Sequence, residues 1–492
     1  MNLDYTGRAW RVAPRIETLS RGSERIFFNP QNVNPAYFPM GGSEVIQILD
    51  KLKQNEPFFC PQENLCPWDL FDFFVRHHLI VEDGQEDCKT ACCEACRPGR
   101  DLFRTELNVY LLLSQACNQA CVYCLNGRET YHGPGDPMMS RETAFQAVET
   151  FASSLSPGGF LNLVFFGGEP LLNWPLAVEV MEHCENSLKL KFPEINFHYH
   201  ITTNLSILPD DFISRAKDYA MTVLVDVDGP EDIHNALRPL RGGGGSFAFT
   251  ARHIEKVAGA GINIALRTTV VSRNQELMVE TARVHKNLGG SACAYVPLNA
   301  VDSDGSVFER AMRPDPRIYA QGLREVYHSQ IWPVENLFPF SEFSRRLVPG
   351  YRNTLNCGAP RGCTPVISVS GKIFSCIYLV NNPAYETGDI IKDDFPRLDV
   401  LKNMAKIIDV DARPQCRECA YRYLCGGGCP IGYIGTEGKA LASQQVRAYT
   451  HKIACATAKT CLEELFWSLG TEAGLWALTD QNNSQNGKGL CL

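Results

Sequence analysis

Cys117-Asn118-Gln119-Ala120-Cys121-Val122-Tyr123-Cys124 is the stretch on which the reading of this chain turns. Its three cysteines are spaced C-x3-C-x2-C and follow directly on an apolar run, residues 109–113, that reads as a strand. Thiolate is the preferred donor for iron–sulfur clusters, and a 4Fe–4S cube needs four ligands if the protein is to hold every iron. A short loop carrying three leaves one iron open, as catalytic metal sites require. Buried core cysteines or part of a zinc knuckle are the plainer readings, and the neighbouring sequence has to choose.

Composition narrows the field. With 492 residues the chain has room for two to four domains at roughly 100–200 residues each. Its hydrophobic (45%) and charged (21%) fractions are those of an ordinary globular protein. A net charge of −8 gives no basic face for nucleic acid. No apolar run approaches the roughly 18 residues of a membrane span, and residues 1–15 lack a signal-peptide core, so a cytoplasmic, membrane-free setting is expected. In a reducing compartment 21 cysteines read as metal ligands rather than as a disulfide framework.

Outward from the cysteine loop, strands and helices alternate. Strands are expected at 107–113, 161–166, 198–203, 221–227, 263–271 and 292–298, with helices at 141–154, 176–190, 211–219, 248–259 and 277–288. Near-continuous apolar strands separated by helices indicate a parallel sheet covered on its outer face. In barrels of that kind ligands bind at the carboxyl ends of the strands. The distinctive short motifs fall there. Gly167-Gly168-Glu169-Pro170 follows the second strand, where glycines admit close approach and Glu169 can accept from an ammonium group. Thr202-Thr203-Asn204 ends the third strand, and Asp226-Val227-Asp228-Gly229 the fourth. His234 and Arg238 come shortly after, ahead of the glycine run 242–245.

Together these residues resemble the radical S-adenosylmethionine (SAM) superfamily: the three-cysteine loop with an aromatic before its last cysteine, the GGEP motif, an S-x-D-G motif carrying Asp226 in place of serine, and H-D-x-x-R with Asn235 in place of the acid. The resemblance implies a partial (β/α)6 TIM-type barrel over residues 101–310. It also implies a 4Fe–4S cluster on Cys117, Cys121 and Cys124 whose open iron chelates SAM, and one-electron cleavage of SAM to a deoxyadenosyl radical. In it Tyr123 flanks the adenine, Gly167, Gly168 and Glu169 hold the amino group, and Thr203 and Asn204 reach ribose or carboxylate. Asp226 and Asp228 serve the ribose, and Arg238 pairs with the SAM carboxylate. His198 and His200, two apart on one strand, read better as core histidines.

Residues 311–355 read as a bridging segment with helices at 316–329 and 335–346. Residues 356–465 are cysteine-dense with few long apolar runs, so metal rather than a core is expected to supply much of their folding free energy. Cys357, G-x4-C ending at Cys376, then Cys416, Cys419, Cys425 and Cys429 as C-x2-C-x5-C-x3-C, and Cys455 resemble the SPASM extension of peptide- and protein-maturing radical SAM enzymes; Cys363 makes an eighth thiol. That resemblance implies two auxiliary 4Fe–4S clusters, three in all. Cys357, Cys363, Cys376 and Cys429 would hold the nearer one, and Cys416, Cys419, Cys425 and Cys455 the outer. Spacing alone does not pair them, and C-x2-C suits zinc as well.

Residues 1–100 read as a separate domain with a strand at 25–28, helices at 43–53 and 67–78 and a hairpin-like wing from 79 to 84. It resembles the winged-helix element by which ribosomal-peptide maturases hold a leader peptide, which would be captured by strand addition. Cys60, Cys66, Cys88, Cys92, Cys93 and Cys96 allow a further metal site without requiring one. Residues 466–492 read as a loose tail, with Cys491 unassigned.

The run 125–133 with Met138-Met139-Ser140 is similar to that of maturases making thioether crosslinks. The function implied is hydrogen abstraction from a peptide or small protein subunit, forming a cysteine thioether, with electrons from a flavodoxin or ferredoxin. The alternatives are an anaerobic sulfatase-maturing, formylglycine-generating enzyme, for which Asp302 or Asp304 would be the base; a small-molecule SPASM dehydrogenase or decarboxylase; and a non-catalytic iron–sulfur electron carrier. No acid or base stands out as catalytic.

Overall fold

The computed structural model describes residues 8–31, 34–38, 42–59, 66, 68–84, 105–124, 136–299, 311–348, 351–380, 382–392, 397–434 and 441–469. Cys60, Cys88, Cys92, Cys93, Cys96, residues 125–133, Asp302, Asp304, the 470–492 segment and Cys491 lie outside them.

The N-terminal region has six short strands: β1 (Ala9–Val12), β2 (Glu17–Arg21), β3 (Glu24–Phe28), β4 (Ala36–Phe38), β5 (Phe58–Phe59) and β6 (Ile80–Glu82). They form two antiparallel sheets, β5-β1-β6 and β2-β3-β4. Helices Gly42–Gln54 and Trp68–Arg76 place Val45, Leu49, Phe71 and Phe74 against Trp10 and Phe58 in one small core, which also takes Cys66. β6, in the stretch expected as a hairpin-like wing, pairs with β1, some seventy residues upstream, with Arg11 opposite Val81, and residues 85–104, which would complete a hairpin, lie outside the described residues. Local turn chemistry at Asp83-Gly84 could not reveal a partner so distant in sequence.

Six parallel strands follow in order: β7 (Glu106–Ser114), β8 (Phe160–Gly167), β9 (Asn196–Thr203), β10 (Thr222–Asp226), β11 (Ile264–Val270) and β12 (Ala292–Pro297). Leu107, Val109, Leu111 and Leu113 alternate along β7 into the core shared with helix Arg141–Ser154, where Ala144, Val148 and Phe151 meet them. Ser140 caps that helix by accepting from the Thr143 amide at 3.2 Å. The helix expected over 176–190 starts earlier, at Trp174, and passes through a π-turn at Cys184–Leu188. A further helix, Glu231–Leu237, was not expected.

The sheet does not stop at six strands. β13 (Leu337–Phe338) adds parallel to β12, and β14 (Val366–Ile367) adds parallel to β7 on the opposite edge, continuing antiparallel into β15 (Lys372–Phe374) and β16 (Glu386–Asp389). The helix expected over 335–346 is thereby shortened to Phe340–Arg345. Leu337 and Phe338 fill the edge of the sheet, and Pro339, lacking an amide proton, sits where the helix begins. Helix Gln444–Leu469 runs past the expected boundary at 465. Its Ile453, Leu462 and Phe466 pack with Tyr319, Leu323 and Val326 of helix Pro316–His328 and with Ile26 and Phe28 of β3. The N-terminal hairpin sheet is thus built into the C-terminal half. No helix among the described residues is long and apolar enough to cross a membrane.

Candidate active site

Two backbones hold the Cys117–Cys124 loop. On one side the amides of Gly168 and Glu169 donate to the carbonyls of Ser114 (2.6 Å) and Ala116 (2.9 Å). A Cβ on Gly167 would lie 2.2 Å from Ser114 O, and one on Gly168 2.3 Å from Ala116 O, so this approach requires glycine. On the other side Ala120 N–H donates to Pro239 O (2.8 Å), Val122 N–H to Leu237 O (2.9 Å) and Arg241 N–H to Asn118 O (2.9 Å). The GGEP turn and the segment around Arg238 therefore set the shape of the cysteine loop directly.

Glu169 is fully buried at the next level. Oε1 accepts from the Thr203 hydroxyl (2.6 Å) and the Leu171 amide (3.0 Å), and Oε2 from the Asn204 amide (2.8 Å). Burial outweighs these bonds and pushes its carboxyl up to about 7. Thr203 thus serves Glu169, while Asn204 Nδ2 bonds Asn118 Oδ1 (2.9 Å) and lies 3.8 Å from Cys117 Sγ.

The Arg238 fork is largely engaged. Nε donates to Asp228 Oδ2 at 2.7 Å, Nη2 lies 3.2 Å from Asp226 Oδ2, and Nη1 points to Cys121 Sγ at 3.8 Å. Tyr123 donates its hydroxyl to Asp228 and places its ring 5.4 Å from the Arg238 guanidinium. Asp228 Oδ1 takes the Thr269 amide (2.9 Å).

Asp226, expected at the ribose, has both its oxygens against guanidiniums. Arg267 Nε donates to Oδ1 (2.6 Å) and Nη2 to Oδ2 (3.1 Å). Burial works to raise the Asp226 carboxyl, but Arg238 and Arg267 outweigh it and hold it at about 2. Sequence reasoning missed Arg267, although a lone arginine amid the apolar residues of β11 was the available signal: a carboxylate in serine's place needs a buried cation.

His234 is an orienting residue. Burial lowers its imidazole to about 3, so it is neutral. Nδ1 accepts from the Asp228 amide (3.3 Å), which leaves the proton on Nε2, donated to Ser246 Oγ (3.0 Å); Ser246 in turn donates to Arg238 O (2.5 Å). Asn235, in the acid's place, accepts the Phe247 amide at 2.8 Å, satisfying one orphan donor at the start of helix Phe247–Gly259. His198 Nδ1 lies 3.0 Å from Asn162 Oδ1, and His200 is held near 4 by burial.

None of the described cysteines is in a disulfide. Burial pushes the Cys117 thiol up to about 11 and Cys121 up to about 12. Gln119, at 3% exposed, has a buried Nε2 with no hydrogen-bond partner while its Oε1 faces Cys121 Sγ at 3.5 Å. An orphaned donor on a residue that contacts both Cys117 and Cys121 fits a loop shaped around an acceptor such as cluster sulfide. Among the described residues no three His, Cys, Asp or Glu groups converge as they would on a single metal ion.

Downstream the thiols fall into two sets. Cys376 and Cys429 are within electrostatic reach of each other and of Cys357. Cys363 has its Cβ 3.3 Å from the position of a Cβ on Gly358, the residue after Cys357, and the next residue, Thr364, bonds the carbonyl of Ser375, the residue before Cys376 (3.2 Å). Cys455 is within reach of Cys416, Cys419 and Cys425. Tyr378, two residues after Cys376, bonds Asn299 (3.1 Å) and is within reach of Arg267, which places the first set toward the barrel mouth.

Residues 111–284 match the Radical SAM superfamily. The radical SAM cyclopropyl synthase TigE of Paramaledivibacter caminithermalis is 28% identical over 234 residues, 43% of this chain and 47% of that protein. The cysteine-type anaerobic sulfatase-maturating enzyme of Clostridium perfringens is 21% identical over 338 residues, 64% of this chain and 86% of that one. Among curated relatives, then, the match spans about half the length of one and most of the other. The solved structure of anSMEcpe with bound AdoMet superposes with a TM-score of 0.61 at 18% identity, covering 76% of this chain and 99% of that one, which fixes the barrel fold. A three-cysteine loop braced by GGEP, a parallel barrel under it and the family match lead to one conclusion: residues 111–284 are a radical SAM domain, and the chain is similar to enzymes that include a sulfatase-maturating one.

Proposed function

We propose that this enzyme matures a peptide or small protein, joining a cysteine sulfur to a carbon of another residue, and that it carries two auxiliary 4Fe–4S clusters beside the SAM-binding one. The grouping of Cys429 with Cys357 and Cys376, apart from its sequence neighbours Cys416, Cys419 and Cys425, is the observation that supports the reading most. The crossed ligand pairing that the sequence resemblance implies would make use of this grouping. When bound, the clusters and SAM supply a deoxyadenosyl radical and an acceptor for the electron left over as the C–S bond forms.

The residues around them bind and orient. Glu169, once ionised, offers its remaining lone pairs to the SAM ammonium. Asp228 and Tyr123 fix Arg238 beside Cys121, so the SAM carboxylate would meet a guanidinium already aligned. Tyr378, which bonds Asn299 and is within reach of Arg267, would line the approach between barrel and first auxiliary set, where the substrate carbon and thiol would meet. The N-terminal sheets would take the leader by strand addition, and a flavodoxin or ferredoxin would deliver electrons.

A clean deletion of residues 1–100 is a poor test of this, since Ile26 and Phe28 belong to the C-terminal core. Anaerobically reconstituted enzyme with SAM, reductant and a cysteine-containing peptide encoded beside its gene is the better experiment. Mass spectrometry is expected to find the peptide lighter by a pair of hydrogens and its cysteine resistant to alkylation. A hydrazine-reactive aldehyde in place of that cysteine would select the formylglycine alternative instead.

A further inference from the structure

The residue that closes helix Phe340–Arg345 takes no part in the SAM site. The side chain of Arg346 is only 5% exposed. Nη1 donates to the carbonyls of Leu424 (2.7 Å) and Cys425 (3.1 Å). Nη2 donates to Glu342 Oε1 (2.8 Å) and Asn356 Oδ1 (3.1 Å), and Nε to Glu342 Oε1 (3.3 Å). One guanidinium therefore grips the backbone of a thiol residue in the outer set and the side chain adjoining Cys357 in the inner set. The two segments touch there: a Cβ on Gly426, whose φ is +62°, would lie 2.9 Å from Asn356 Cα.

Two other arginines lie nearby, but each serves one set. Arg361 bonds Asn353 Oδ1 and Leu355 O and faces Cys357. Arg413 bonds the carbonyls of Ile408 and Gly427 and faces Cys416 and Cys425. Arg346 is within electrostatic reach of both Cys357 and Cys425. Its paired carboxylate among the described residues, Glu342, is 35% exposed and shared with Arg345, so solvent screens the anion more than the cation.

Resting on the two-cluster reading above, we propose that Arg346 is an electrostatic tuning residue shared by both auxiliary clusters. A thiolate-ligated cluster becomes more negative on reduction, and a fixed buried cation between two of them favours the reduced state of each. Both reduction potentials are raised together by one side chain. Lysine would keep the charge while losing the four-acceptor fork.

The test uses the full chain, reconstituted anaerobically, with iron and sulfide counted and the potentials read by redox titration under electron paramagnetic resonance. Arg346→Gln is expected to lower both auxiliary potentials, each by at least a tenfold shift in the one-electron equilibrium, about 59 mV. Arg346→Lys is expected to stay near the wild type. Glu342→Gln, which removes the counter-charge at a half-exposed position, is expected to move both potentials upward by less. Full iron with unmoved potentials in Arg346→Gln overturns the proposal, as does a shift confined to one cluster. Should Arg346→Gln not load iron, Glu342→Gln decides, and unmoved or lowered potentials there overturn it. A wild-type count well below about twelve irons refutes the two-cluster reading itself, a distinguishable failure.

Discussion

The barrel loop and the C-terminal cysteine region both gather thiols, but they hold them by different means. Cys117, Cys121 and Cys124 stand on a loop clamped between two backbones, at the mouth of a sheet whose leucines, valines and phenylalanines are almost completely buried. Cys357, Cys416, Cys419 and Cys425 stand on short helices and turns braced by buried arginines, over small apolar clusters around Leu355, Tyr385, Met404 and Ile408 or Val410 and Tyr423. Hydrocarbon burial shapes the first site before any metal arrives. In the second, on the two-cluster reading proposed above, coordination would supply part of the folding free energy.

Losing a ligand from the clamped loop should have the largest effect. Cys124→Ala is expected to abolish release of deoxyadenosine from SAM under reductant and to lower the iron content by about four of about twelve atoms, leaving the others in place. Iron analysis beside a chromatographic assay checks both parts. Loss of all the iron would erase the distinction between the two regions.

Stripping the metal should separate them next. After anaerobic chelation, amides in 353–363 and 413–429 are expected to lose protection from hydrogen exchange, while β7 to β12 keep theirs. Equal loss in both would mean that the barrel, too, depends on its cluster.

Within the barrel, Arg267→Ala should be costly because Asp226 keeps only Arg238 as a counter-charge. A destabilisation of about 2–3 kcal/mol is expected in denaturant titration. The double variant Asp226→Ser, Arg267→Met should recover much of it, since replacing a buried ion pair by apolar packing is often close to neutral.

The mildest effect is that of pH on Glu169. Its ordinary value of 4.5 is raised to about 7 in the fold, so the native carboxyl keeps its proton longer than the unfolded one. Its contribution to stability is therefore complete below about 4.5 and lost as pH rises through about 7. On the proposed role of Glu169 as partner of the SAM ammonium, SAM binding would run the other way, because the ammonium needs the ionised form. Affinity measured by equilibrium dialysis is expected to tighten as pH rises through about 7 and to level off above it. Glu169→Gln should bind more weakly and without that rise.

Much of the barrel was legible because parallel strands buried on both faces leave near-continuous apolar runs, and because Gly167, Gly168, Glu169, Asn204 and Asp228 sit at strand ends where ligands must go. Strands of two or three residues, such as β5, β13 and β14, carry no such period, and their pairing is set by distant partners. The same holds for β6, whose mate is β1. Arg346 was invisible for a related reason: an arginine at a helix end reads as solvated until the fold closes over it.

The sequence by itself carried the resemblance to radical SAM enzymes, through three thiols at fixed spacing followed by a glycine-rich acidic turn. It determined that Asp226 stands where a neutral hydroxyl is usual. Only the tertiary structure decided what that carboxylate does, by bringing Arg267 from the next strand to both its oxygens. Only the tertiary structure sorted the later thiols, setting Cys429 with Cys357 and Cys376. Spacing along a chain fixes which donors are near in sequence, whereas grouping around a site depends on how distant segments pack, and that packing rests on burial and buried charge spread over the whole molecule.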